Sequence, residues 1–213
     1  MAGAAPGGDG VDPRDLTIPP TVAGMRVGLL GGSFDPPHAG HMHIARTALA
    51  RLGLDRLWVM VTPGNPLKTG RGQAPLGRRL AATRAVMDDP RIVVTAFEAG
   101  LGSPYTWRTV ERLVRLKPGV HFVWVMGADN LASFHRWQQW RRIAATVPIA
   151  VIDRPLASMA TLSAPAAQAL SGFRLPEREA RQLAQRDVPA WVFVHGPRVA
   201  LSSTDLRARG LGV

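Results

Sequence analysis

From Met25 onward, short apolar runs alternate with amphipathic stretches, and this alternation restricts the fold more than any other feature of the chain. The runs Met25–Leu30, Leu57–Val61, Ile92–Thr95, Val120–Met126, Val147–Ile152 and Trp191–Val194 are nearly continuous in Val, Ile, Leu, Trp and Phe. They lack the polar alternation of a half-exposed strand, which suits strands covered on both faces. Between them, His41–Arg51, Leu76–Met87, Thr106–Leu116, Trp137–Ala145 and Glu177–Gln185 have helical character. Strand and helix in turn predict an α/β fold, a doubly wound parallel sheet in a single domain. In such sheets right-handed crossovers leave ligands beyond the carboxyl ends of the strands, so the chemistry is expected just after each strand.

The 213 residues, 46% of them hydrophobic, suffice for one ordinary domain with its own core. No apolar run approaches the roughly 20 residues that span a bilayer, so no membrane partner is expected and the location is read as cytoplasmic. There is no Cys, which excludes disulfides, thiolate metal sites and cysteine nucleophiles. Of the 26 basic residues behind the net charge of +11, only Lys68 and Lys117 are lysines. The arginines stand singly or in pairs such as Arg78-Arg79 and form no block, so affinity for small phosphate-bearing molecules is favoured and nucleic acid is not expected as a partner. Residues 1–24, rich in Gly, Ala and Pro, have neither periodicity nor the basic and apolar regions of a targeting signal. They are read as a flexible leader, with the folded domain at 25–213.

The first strand runs into Gly31-Gly32-Ser33-Phe34-Asp35-Pro36-Pro37-His38-Ala39-Gly40-His41 and then into a helix. Two glycines at a strand end let the backbone approach a ligand without Cβ interference. The helix start offers N–H groups to an anion. His38 and His41, three residues apart across that start, can aim two imidazoles at one phosphoryl oxygen whose charge rises during reaction. Near the other end of the chain, Ser202-Ser203-Thr204-Asp205-Leu206-Arg207 combines capping hydroxyls, a nest of N–H groups and a guanidinium able to fork onto two phosphate oxygens. Gly127-Ala128-Asp129 follows the fourth strand, where an Asp is well placed to accept from ribose hydroxyls.

The string Gly31-Gly32-Ser33-Phe34-Asp35-Pro36-x-His38-x-Gly40-His41 resembles the signature of the nucleotidylyltransferase superfamily, and Ser202-Ser203-Thr204-x-Leu206-Arg207 its second phosphate motif. The more specific resemblance is to the nicotinate-nucleotide adenylyltransferases. It covers about Met25 to Gly210 and implies a Rossmann-like sheet, with ATP and nicotinate mononucleotide as partners. It further implies Mg²⁺ held mainly by the ATP phosphates, with no metal ligands from the chain, and leaves a homo-oligomer open. On this resemblance Gly31, Gly32, Ser33, Phe34, His38, His41, Gly127, Asp129, Arg154, Ser202, Ser203, Thr204 and Arg207 bind ATP. His38, His41, Lys68 and Arg207 act at the reacting phosphates. Lys68, Tyr105, Thr106 and Trp137 bind the acceptor, Trp137 by stacking on its ring. Leu67, Arg108 and Gln138 depart from the residues usual in the family.

Overall fold

The computed structural model describes residues 10–63, 73–103, 105–153 and 161–196. Each apolar run forms a strand: β1 (Arg26–Gly32), β2 (Arg56–Val61), β3 (Ile92–Thr95), β4 (His121–Gly127), β5 (Ile149–Ile152) and β7 (Trp191–Val194), with a two-residue β6 (Arg174–Leu175) between the last two. They make one sheet in the order β3-β2-β1-β4-β5-β7-β6, and every pairing is parallel. The helices are α1 (Ala39–Arg51), α2 (Leu76–Val86), α3 (Phe97–Gly100), α4 (Thr106–Leu116), α5 (Ala128–Phe134), α6 (Trp140–Thr146) and α7 (Pro165–Ala169). A 3-10 helix spans Glu177–Gln185. None of the described helices is long and apolar enough to cross a membrane.

The absence of alternation in the strands follows from two cores, one on each face. Val27, Leu29, Trp58, Met60, Phe122, Trp124 and Met126 pack with the inner faces of α4, α5, α6 and α7. Leu30, Leu57, Val59, Val61, Val123, Val125, Ala150 and Ile152 pack with α1, α2 and the 3-10 helix. Both pleat surfaces are thus dry, as the composition of the runs predicts. Sheet growth reverses between β1 and β4, whose register pairs Leu30 with Val125. Their carboxyl ends therefore lie side by side at the switch point, where a crevice opens in doubly wound sheets.

Several expectations need correction. The described part of the supposed leader, residues 10–24, is not outside the fold. The Asp15 carbonyl accepts from Thr95 Oγ1 at 2.9 Å and from the Ala96 N–H at 2.8 Å, and the Asp15 carboxylate pairs with Arg84. Ile18 packs on the core, and the Gly24 N–H donates to the Gly119 carbonyl at 2.7 Å. These are contacts of main chain and single side chains, which leave no periodic pattern in a sequence. The segment expected as a helix from Trp137 begins at Trp140, because Trp137 to Gln139 form a turn that ends with Gln139 in the left-handed region at φ 54°. Glu177–Gln185 is a 3-10 helix, and α5 fills the stretch after β4, for which the sequence pattern predicts no helix.

Candidate functional site

At the end of β1 the backbone has no room for side chains. A Cβ on Gly31 would stand 2.9 Å from Trp124 Cη2, and one on Gly32 would stand 3.1 Å from Phe34 Cε2. Phe34 itself takes φ 46°, a left-handed conformation that a bulky residue adopts only where its surroundings enforce it. Its ring is buried and packs at 4.8 Å on that of His41. The turn holds one wall of the histidine pair in place.

His38 is the N-cap of α1. Its Nδ1 accepts from the Gly40 N–H at 3.1 Å, while His41 Nδ1 accepts from the His38 N–H at 3.2 Å. The two imidazoles stack with centroids 3.8 Å apart and planes 31° apart. Because each Nδ1 lone pair is used on a backbone N–H, the neutral ring carries its proton on Nε2. Both rings are thereby fixed as Nε2–H donors. Of the helix-start N–H groups expected to meet an anion, that of Gly40 is spent on the His38 ring.

The neighbouring strand ends complete the crevice. β4 ends at Gly127, the N-cap of α5, and Asp129 lies exposed in the first turn of that helix. Trp124, laid edge-on against Gly31, makes a T-shaped contact with Trp137 at 6.0 Å; Trp137 also packs on Phe134 at 5.4 Å. Trp137 is partly exposed, whereas Trp140 is buried against Phe134 and belongs to the core. Tyr105 caps α4 and Thr106 opens it. That end of α4 is tied to the turn after Trp137 by the Trp107 Nε1–H, which donates to Gln138 Oε1 at 3.2 Å. Gly31 and Trp137 thus meet through Trp124, and the histidine pair packs on Phe34 at the end of β1, while Asp129 stands at the end of β4 and Tyr105 and Thr106 at the start of α4.

Residues 29–209 match the cytidylyltransferase-like family model. A protein of Methylorubrum extorquens named "Probable nicotinate-nucleotide adenylyltransferase" is 58% identical over 185 residues, which is 87% of this chain and 100% of that one. A protein of the same name from Rhizobium meliloti is 58% identical over 188 residues, covering 88% of this chain and 100% of its own. The chain belongs to the nicotinate-nucleotide adenylyltransferase family. The Plasmodium falciparum nicotinic acid mononucleotide adenylyltransferase complexed with APC shares the fold, with a TM-score of 0.63 at 14% identity, covering 86% of this chain and 83% of that one.

Of the residues expected to serve a nicotinate-nucleotide adenylyltransferase, Lys68, Arg154, Ser202, Ser203, Thr204 and Arg207 lie outside the described residues. Gly196, the last residue described before the final motif, lies against α1: a Cβ there would be 3.0 Å from His43 Nε2. Two residues of the site region were missed by sequence reasoning. Trp124 supplies the surface on which Gly31 and Trp137 meet, and its Nε1–H has no acceptor among the described residues. Arg79 reaches from α2 to the loops after β1 and β2. Its signal was available: it shares a helix face with Leu76, Leu80 and Thr83, where a charge interrupts an otherwise inward stripe.

Proposed function

We infer that the chain transfers the adenylyl group of ATP to nicotinate mononucleotide, giving nicotinate adenine dinucleotide and pyrophosphate, a step of NAD biosynthesis. The observation that carries this reading is the reciprocal histidine cap at the β1–β4 switch point, in a chain 58% identical to full-length relatives of that name.

The 5′-phosphate oxygen of the mononucleotide attacks the α-phosphorus of ATP in line, and the bond from that phosphorus to the bridging oxygen of the leaving pyrophosphate breaks. The nucleophile is already an anion, so no strong base is needed. Catalysis consists of holding two polyanions together and stabilising the charge that develops on the phosphoryl oxygens. His38 and His41 present Nε2–H donors for those oxygens without any change of tautomer. Gly31 and Gly32, packed against Trp124 and Phe34 where a Cβ would stand, shape the turn that sets Ser33 and Phe34 beside the ATP phosphates. On the family resemblance, Ser202, Ser203, Thr204 and Arg207 are assigned the second grip on the ATP phosphates, Lys68 is assigned to the reacting phosphates and the acceptor, and Arg154 to ATP. Asp129, after Gly127, accepts from ribose hydroxyls, and Tyr105, Thr106 and Trp137 hold the acceptor.

Among the described residues no three His, Asp or Glu side chains gather as a set able to hold a metal. The imidazoles suit phosphoryl oxygens better than they suit Mg²⁺, a hard ion that takes oxygen ligands. On the family resemblance Mg²⁺ would be held by the phosphate oxygens and water, and would supply charge neutralisation on ATP. The test is pyrophosphate release with ATP and nicotinate mononucleotide, with the amidated mononucleotide measured separately. His41→Ala is expected to lose about 3 kcal/mol of charge stabilisation, roughly a hundredfold in turnover. No release from the native chain would overturn the reading, and unchanged turnover in His41→Ala would remove the imidazoles from it.

A further inference from the structure

Arg79 has no part in the site as assigned, yet it is only 1% exposed. An arginine so deeply placed must have its donors satisfied. Nε donates to the Ala74 carbonyl at 2.8 Å. Nη1 donates to the carbonyls of Ser33 at 2.9 Å and Thr62 at 2.8 Å, and Nη2 donates to that of Pro63 at 3.4 Å. Ser33 belongs to the loop after β1, Thr62 and Pro63 to the loop after β2, and Ala74 to the segment entering α2. One planar group therefore joins three stretches of backbone, all at the carboxyl end of the sheet.

Burying a guanidinium costs more than filling the same space with an apolar side chain. What this one secures is loop geometry. The Ser33 loop leads directly to Phe34 and the histidine cap. The β2 loop lies against it, with the Thr62 N–H donating to the Gly32 carbonyl at 2.9 Å. We propose that Arg79 is a positioning residue for adenylyl transfer, fixing the separation of the β1 and β2 loops so that the histidine cap meets the reacting phosphates in register. The inference rests on the adenylyl-transfer reading above. Transfer is far more sensitive than binding to such a separation, because a shift of about 1 Å can cost roughly a hundredfold in rate. Lysine keeps the charge but cannot reproduce a flat fork directed at four carbonyls.

The test uses the full chain with Arg79→Lys and Arg79→Met, and Leu80→Ala as a control for lost packing on the same helix. Both Arg79 variants are expected to lower kcat about a hundredfold while ATP affinity by calorimetry stays within about threefold. Leu80→Ala is expected to lower the melting temperature comparably, with kcat within about threefold of native. Equal loss of kcat in Leu80→Ala and the Arg79 variants at equal stability would show a merely structural role and overturn the proposal. Should Arg79→Met not fold, the charge-retaining Arg79→Lys carries the comparison. Amide exchange gives a readout independent of turnover: faster exchange at residues 33–35 and at Thr62, with α2 unchanged, supports the proposal. Exchange that rises throughout α2 instead would overturn it. An inactive native chain is a separate result, which sinks the adenylyl-transfer reading while the exchange comparison still decides the loop geometry.

Discussion

Gly31 shows how closely the residues of this site are fitted. Its hydrogen faces the Trp124 indole, where a methyl group would meet Cη2 at 2.9 Å and Cζ2 at 3.5 Å. Trp124 is 2% exposed and cannot swing away into solvent. Gly31→Ala should therefore destabilise the fold by about 1–3 kcal/mol through overpacking. Thermal denaturation checks this, and an unchanged melting temperature would mean that the indole yields freely. The capping contact of His38 and the donor role proposed for it are separable by substitution. Asn is a good N-cap and can accept from the same helix-start N–H, so His38→Asn should keep stability within about 0.5 kcal/mol of native. It lacks the Nε2–H donor, and turnover should fall about a hundredfold. If instead turnover tracks the melting temperature, capping would be the only duty of His38.

Among elements, the N-terminal strap gains most from being seen in place. Through Asp15 it engages Thr95, Ala96 and Arg84, at the end of edge strand β3 and on α2. A chain shortened to begin at Met25 loses two hydrogen bonds to the half-buried Asp15 carbonyl, the Gly24–Gly119 hydrogen bond, an ion pair and the packing of Ile18, and should be about 2–4 kcal/mol less stable. Denaturant unfolding of the two lengths measures this, and equal midpoints would show the strap to be energetically idle. The sequence concealed the strap because carbonyl acceptors carry no residue signature. The inward place of Arg79 on α2 was legible, but its partners were hidden for the same reason, since its four acceptors are main-chain oxygens that any residue supplies. The strands were legible because burial on both faces writes continuous apolar runs. Helix α5, seven residues long, is too short for a period to show, and β6 has two residues. In Glu177–Gln185 the inward set Ala180, Leu183 and Ala184 fits a 3-10 and an α-helix alike over so short a span. The histidine cap was legible because its spacing crosses a strand-to-helix boundary, although the use of Nδ1 on backbone N–H groups was not.

At the scale of the whole molecule, titration of a few carboxyl groups sets how stability varies with pH. Glu98 on α3 is 6% exposed. Burial pushes its pKa from 4.5 up to about 7, against the Thr109 hydroxyl, which favours the charged form. Below pH 4.5 folded and unfolded chains both hold this proton, and Glu98 carries no penalty. Between 4.5 and about 7 only the unfolded chain ionises, so stability falls as pH rises; above that the deficit is constant at about 3 kcal/mol. Asp55 and Asp89 act in the opposite sense, because hydrogen bonds from Arg26 and Arg91 hold them below the usual carboxylate range of 3.8. Their contribution is full above that value and fades as pH falls through their folded values. The joint contribution of these three groups should thus be greatest in mild acid, between the loss of the two pairs and the ionisation of Glu98. Glu98→Gln mimics the protonated side chain at every pH. Its advantage over native should be small at pH 5 and reach about 5 °C or more in melting temperature at pH 8. An advantage of equal size at both pH values would show that Glu98 ionises in the folded chain as readily as in the unfolded one.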